Sequence, residues 1–276
     1  MTLWPGCRGG NSALSPSWRP SELSDPYADF MVGPRAGNGV CGVCFNFTRG
    51  YERCYSCARG ELLLAAVVPI SYSIGGEQLH RALVGYKWLG GEVAQRLTTE
   101  LAAVLWRFLA AHERCVAAAA GVSRFELVTV VPSGERGRDA GHPLRRLVGE
   151  LVRPTQARYR PVLRRSAVSV QLREVHPGKF EPLGTLRGEP VMLIDDTWTT
   201  GASARSAAAA LERAGAGPVA AVVIGRHVNR EWHENDRRLR ALPAPFNWSR
   251  CAVCDRASDP APAAWRSYTR RRAPSR

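Results

Sequence analysis

The chain is expected to be an α/β protein, a parallel sheet flanked by helices, with a small cysteine-paired module near its N-terminus. Three observations carry this. Residues 190–225 run as an apolar stretch, a polar loop, an Ala-rich helical stretch and a second apolar stretch, which is the order of a βαβ unit. Residues 92–120 repeat apolar side chains at helical spacing through Val93, Leu97, Leu101, Val104, Leu105 and Phe108. Ahead of both, Cys41-x2-Cys44 and Cys54-x2-Cys57 pair four thiols within a short, Gly-containing block.

The elements follow in order. Residues 1–39 are rich in Pro, Ser and Gly without a sustained period and are expected to be a disordered leader. Residues 40–60 form the cysteine module. The apolar run 61–70 is a strand or the start of a helix, which periodicity does not separate. The helix 92–120 is stopped by Gly121. Residues 125–131 are a β-branched run ending at Pro132, as in a buried strand that enters a loop. Residues 144–152 read as a short amphipathic helix, and 153–173 as a basic, irregular, mobile stretch. Then come a strand at 190–194, a polar loop at 195–201, a helix at 202–214 stopped by Gly215, and a strand at 219–225. The α/β domain is thus expected over 61–235. A basic extension over 236–276 follows, Pro-, Ala- and Arg-rich and disordered from Asp255 onward.

The chain of 276 residues has 38 Lys+Arg against 24 Asp+Glu, a net charge of +14. Such a surface favours phosphorylated ligands or nucleic acid; a GC-rich coding composition accounts for it equally well. No stretch is apolar over the ~20 residues of a membrane span, and no signal peptide is visible. A cytoplasmic location is expected, where the eight cysteines are better read as thiols or metal ligands than as disulfides.

The chemistry concentrates in Asp195-Asp196-Thr197-Trp198-Thr199-Thr200-Gly201-Ala202-Ser203. It lies at the carboxyl edge of a strand, where open α/β sheets bind ligands. Adjacent carboxylates accept hydrogen bonds from a vicinal diol such as the ribose 2′- and 3′-hydroxyls. Small residues, hydroxyls and a helix N-terminus next to them suit a phosphate. An Asp-rich turn followed by a helix cap is the plainer alternative. A second loop, Pro132-Ser133-Gly134-Glu135-Arg136-Gly137, offers amides and a guanidinium for phosphate oxygens, or is an ordinary Pro-Gly turn.

The 191–203 segment resembles the signature of type I phosphoribosyltransferases. The resemblance implies ribose contacts from Asp195 and Asp196, and phosphate contacts from Thr199, Thr200, Gly201, Ala202 and Ser203. It implies phosphoribosyl pyrophosphate as ligand, with Mg2+ on the pyrophosphate. Pro132, Ser133, Gly134 and Arg136 fall where the family binds pyrophosphate, and 153–173 where it has a closing loop, unless that stretch is only a connector. Thr197-Trp198 replaces two aliphatic residues of the family pattern, so Trp198 is expected to narrow the pocket or stack on a ligand.

Two Cys-x2-Cys knuckles nine residues apart suit tetrahedral zinc in a closed, structural site; two disulfides or four unlinked thiols are the alternatives. A four-cysteine ribbon ahead of such a domain is similar to the ComF family of competence-associated proteins. Gly85-Tyr86-Lys87-Trp88, Arg136-Gly137 and Gly178-Lys179-Phe180 also fall where that family has comparable segments. Cys251-x2-Cys254 is a lone pair that His227 and His233 would complete only at irregular spacing, and Cys115 reads as a core residue.

Two functions are therefore expected in alternation. One is phosphoribosyl transfer to a nucleobase-like acceptor, for which no general base is legible; the segment 75–91 is a candidate cover for the acceptor. The other is a non-catalytic or regulatory ComF-like role in DNA uptake, with single-stranded DNA or a helicase as partner. The tail arginines Arg266, Arg270, Arg271, Arg272 and Arg276 would serve that contact.

Overall fold

The computed structural model describes residues 18–60, 63–133 and 141–254. Its strands are β1 (Ala66–Ile74), β2 (Leu127–Val130), β3 (Leu163–Arg165), β4 (Phe180–Pro182), β5 (Val191–Trp198) and β6 (Val219–Val228). Its helices are α1 (Pro20–Ser24), α2 (Tyr55–Ala58), α3 (Gln78–Trp88), α4 (Gly91–Ala119), α5 (Pro143–Arg146), α6 (Arg153–Gln156), α7 (Ala202–Arg213) and α8 (Asn235–Arg240). Four strands make one parallel sheet in the order β1-β6-β5-β2, and β3 pairs antiparallel with β4 in a separate ribbon.

The uninterrupted apolar runs of β5 and β6 have a simple cause: both faces of the sheet are covered. Met192, Ile194, Val222 and Ile224 pack on one side with Leu101, Leu105 and Phe108 of α4. Val191, Leu193, Ala221 and Val223 pack on the other with Ala204, Ala207, Ala208 and Leu211 of α7. The alanines of α7 bring that helix close to the sheet, which holds its N-terminus at the carboxyl ends of β5 and β6. No helix among the described residues is long and apolar enough to cross a membrane.

Several expectations are corrected. Residues 18–39, read as part of a disordered leader, pack on the body from Trp18 onward. Trp18 meets Trp106 edge-on at 5.5 Å, Tyr27 Oη donates to Glu100 Oε2 at 2.9 Å, and Val32 bridges to Tyr72. Their aromatic side chains bury individually against α4, so no period marks them. Residues 1–17, with Cys7, lie outside the described residues. The ambiguous run 61–70 becomes a strand beginning at Ala66.

The basic stretch 153–173 carries α6 and β3, and Arg158 binds Glu113 of α4 through both of its terminal nitrogens (2.5 and 2.9 Å). Residues 144–152 form α5 followed by a wider π turn at Leu147–Leu151. The first part of the extension, 236–254, folds back on α4 with Phe246, Ala252 and Val253 buried. The tail arginines lie outside the described residues.

Candidate functional site

Strand β5 does not end at Ile194 but runs on through Asp195, Asp196 and Thr197 to Trp198, with Asp195 opposite Val223 and Thr197 opposite Gly225 of β6. The polar residues expected in a loop are therefore pleated, and successive side chains leave opposite faces of the sheet. This separates the two carboxylates. Asp196 is buried on the α3 side, where Tyr86 Oη donates to Oδ2 and Lys87 Nζ donates to Oδ1 at 2.7 Å. Asp195 lies on the other side of the pleat, beside Thr197 and the loop that leads into α7. Both residues nevertheless border one cavity, the smaller of the two described below.

Asp195 lines a cavity of about 440 Å3 together with Thr197, Thr199, Thr200, Gly201, Ala202 and Ser203. Arg165 of β3, Arg173 and Lys179 form the facing wall. Lys179 Nζ donates to Ser203 Oγ at 2.8 Å, tying that wall to the first turn of α7. Burial, with Arg165 nearby, pushes the Lys179 pKa down, and Asp195 acts against this. Burial, reinforced by the charge of Asp196, raises the Asp195 carboxyl to about 7, with Lys87 pulling the other way. Tyr86 is held well above its usual pKa by burial and then by Asp196. A cleft with cations on one wall and a shifted carboxyl on the other is a candidate ligand site.

A second cavity of about 340 Å3 shares Lys87, Trp88, Ser133, His142 and Asp195 with the first. Leu83, Val84, Val131 and Leu144 give it an apolar side, and Pro132 and Asp196 border it. Of the second predicted loop, Pro132 and Ser133 therefore reach the site, while Gly134 and Arg136 lie outside the described residues.

The turn between β5 and α7 depends on Gly201. Its φ is +77°, a conformation that strongly favours glycine, and a Cβ there would fall 2.0 Å from the Trp198 ring. Trp198 neither narrows the cavity nor faces a ligand. It is buried among Val43, Cys57, Leu64 and Arg205, on the side of the cysteine module. Its ring is a packing device between the module and the loop.

The module itself brings Cys41, Cys44, Cys54 and Cys57 together, with their sulfurs all within 4.8 Å of one another and Cys44 Sγ 3.6 Å from Cys54 Sγ. All four are buried, and the cluster is of a kind that can bind a metal ion such as zinc. Arg226 of β6 is buried against it. Its Nε donates to the Cys44 carbonyl at 3.2 Å, one Nη donates to the Trp198 carbonyl at 3.0 Å, and the other lies 3.9 Å from Cys44 Sγ. The neighbouring cysteines and burial raise the Cys44 pKa, and the Arg226 charge acts against them, toward the thiolate form that ligates a metal. Arg205 then links module to cleft: it donates to the Ser56 carbonyl at 2.8 Å and to the Thr200 carbonyl at 2.6 Å.

Sequence reasoning missed Tyr86 and Lys87 as partners of Asp196, although Gly85-Tyr86-Lys87-Trp88 had been singled out, because nothing local connects α3 to β5. It also missed Arg165, Arg205 and Arg226 as wall and support residues, because one arginine among many carries no signal, and it gave Lys179, quoted only within Gly178-Lys179-Phe180, no role. His227 and His233 do not approach Cys251 and Cys254. His227 packs on His80 at 5.2 Å and His233 lies 2.6 Å from an Arg49 nitrogen. No protein-family model matches the chain, and no curated protein shows significant similarity to it.

Proposed function

We propose that the chain is a phosphoribosyltransferase-like protein of the ComF type that binds phosphoribosyl pyrophosphate or a related ribose 5-phosphate ligand. The observation that carries this reading is the shared cavity: Asp195 on one side, the Thr199–Ser203 turn at the N-terminus of α7 below, and Arg165 and Lys179 across from it. The parallel sheet with β5 beside β6 is compatible with a type I phosphoribosyltransferase fold.

In this reading the amides of 200–203 and the Ser203 hydroxyl hold the 5′-phosphate, with the positive end of α7 aimed at it. Asp195 accepts from the ribose hydroxyls. Asp196 acts indirectly, fixing Lys87 and Tyr86 at the boundary between the two cavities. Arg165, Arg173 and Lys179 supply charge for the pyrophosphate. Mg2+ is a hard cation suited to pyrophosphate and carboxylate oxygens, and Asp195 is the cavity-wall carboxylate for it; when bound it neutralises charge on the leaving group. The second cavity, with Leu83, Trp88 and Leu144 on its walls, suits a flat, nucleobase-like acceptor.

The reaction would be displacement of pyrophosphate at ribose C1 by a nucleobase nitrogen. Such a step depends on orientation and on stabilising charge as it moves. The metal of the Cys41/Cys44/Cys54/Cys57 cluster is zinc in this reading, and with four protein ligands it is structural.

Pyrophosphate release from phosphoribosyl pyrophosphate and Mg2+, assayed across a panel of bases, tests the transfer. Release that one base stimulates, and that Asp195→Asn reduces about a hundredfold or more (~2.7 kcal/mol), supports it. Stimulated release that survives this substitution refutes the assignment of Asp195. Absence of turnover with every base refutes transfer and leaves a binding or regulatory protein.

A further inference from the structure

We propose that His112, Cys115, Cys251 and Cys254 bind a second zinc ion, which fastens the C-terminal extension to α4. The four donor atoms come from two distant parts of the chain and all lie within 4.8 Å of one another. His112 and Cys115 are three residues apart on α4 and so present their side chains on one face of the helix. Cys251 and Cys254 close a short turn in which the Cys254 amide approaches the Cys251 carbonyl and the Cys251 amide points at Cys254 Sγ (3.4 Å).

The spacings lie close to those of a tetrahedron, the Cys251–Cys254 pair being the tightest. With metal–sulfur bonds of about 2.3 Å and a metal–nitrogen bond of about 2.0 Å, ligand atoms stand roughly 3.5–3.8 Å apart. Here Cys115 Sγ is 3.6 Å from Cys254 Sγ, and Cys251 Sγ is 3.2 Å from Cys254 Sγ. His112 Nδ1 is 3.5 Å from Cys254 Sγ and 3.9 Å from Cys115 Sγ.

The histidine is also held in the right form. His112 Nε2 lies 2.8 Å from the Trp248 carbonyl, which can only accept, so that nitrogen carries the proton. The lone pair is left on Nδ1, which faces the sulfurs. A ligating histidine that donates its other N–H to a backbone carbonyl is the usual arrangement around zinc. The carbonyl comes from the same extension that supplies Cys251 and Cys254, so one segment provides two ligands and orients a third.

Such a metal would fasten a segment that has no regular structure of its own. After α8 the described chain has no further helix or strand, yet Phe246, Ala252 and Val253 are buried on the body. Arg107 of α4 stacks over Trp248 at 4.4 Å and the Phe246 amide donates to the Ala28 carbonyl at 2.8 Å, and a metal would add a cross-link from this stretch to α4. With four protein ligands the site is closed, hence structural. The competing arrangement is a Cys251–Cys254 disulfide, which would leave Cys115 and the oriented His112 ring without purpose.

The test is zinc content per chain on the full-length protein purified without chelator. Wild type should hold two zinc ions. Cys251→Ser with Cys254→Ser should hold one, retained at the other cluster, and Cys41→Ser with Cys44→Ser should lose the other ion. Should a variant fail to fold, the cobalt-substituted wild type decides: its spectrum should resolve into an all-thiolate centre and a centre with three thiolates and one imidazole. His112→Cys should convert the second into the first while keeping two metals. One zinc in wild type, a Cys251–Cys254 disulfide by mass spectrometry, or an unchanged cobalt spectrum in His112→Cys would overturn the proposal. The outcomes at the His112 cluster do not bear on phosphosugar binding, so this site and the cleft stand or fall separately.

Discussion

Lys87 of α3 and Asp196 of β5, 109 positions apart in the chain, place an ammonium 2.7 Å from a buried carboxylate at the meeting point of the two cavities. The pair fixes α3 against the carboxyl end of the sheet. Lys87→Met removes the partner of a buried charge, a change that costs about 3–5 kcal/mol when both groups are fully enclosed. Because the Lys87 side chain is 24% exposed, a smaller loss of about 2 kcal/mol is expected in urea unfolding. Adding Asp196→Asn should recover part of it. A single-variant loss below about 0.5 kcal/mol would show that the pair does not hold α3.

Gly201→Ala tests the turn between β5 and α7, the proposed phosphate cradle. The left-handed backbone costs an alanine about 1 kcal/mol, and the clash with Trp198 adds about 1–3 kcal/mol of overpacking. A loss of roughly 2–4 kcal/mol in denaturant unfolding is expected, and Trp198→Leu in the same chain should return the overpacking share. A neutral Gly201→Ala would mean that Trp198 is free to move away, contrary to its burial.

The raised Asp195 carboxyl gives two pH effects of opposite sign. Its folded pKa of about 7 stands above the ordinary value of 3.8, so the folded state binds more protons between these pH values. This contribution to stability is complete at low pH and is lost as pH rises toward about 7. Ribose hydroxyls donate to the ionised form, so ligand affinity should rise with pH through the same range and level off above it. Calorimetry in buffers of different ionisation enthalpy should detect proton release near pH 7. Asp195→Asn should abolish the release; release that persists would move the titrating group elsewhere.

Arg205 makes the cysteine module a support for the cleft. Arg205→Met deletes hydrogen bonds to the carbonyls of Ser56 and Thr200, each worth about 1.5–3 kcal/mol when the donor is charged. Loss of stability is expected together with about tenfold weaker phosphosugar binding, ~1.4 kcal/mol. Stripping the metal from the Cys41 cluster should weaken binding in the same way. Unchanged affinity after either change would uncouple the two parts.

The parallel sheet, α4, α7 and the two Cys-x2-Cys knuckles were legible because each writes its pattern into neighbouring residues. Helical spacing marks α4, an apolar run marks β6, and paired thiols mark the knuckles. The site was legible only as far as its strand-to-helix turn. Asp195 and Asp196 are adjacent in sequence and so read as one clamp, but continuing the strand to Trp198 places them on opposite faces. Trp198 read as a ligand contact because its partners, Val43 and Cys57, lie well over a hundred positions away. Residues 18–39 and 241–254 escaped because isolated aromatic and cysteine residues dock without regular periodicity. His112-x2-Cys115 was written in α4, yet the helical pattern around it was explanation enough until Cys251 and Cys254 arrived beside it.

Titration calorimetry of the full chain with phosphoribosyl pyrophosphate and Mg2+ tests the central claim most directly. One saturable site per chain is predicted, weakened at least about tenfold (~1.4 kcal/mol) by Asp195→Asn and unaffected by Glu126→Gln, an exposed position just before β2. Absence of saturable heat, or binding that Asp195→Asn leaves intact, would contradict it.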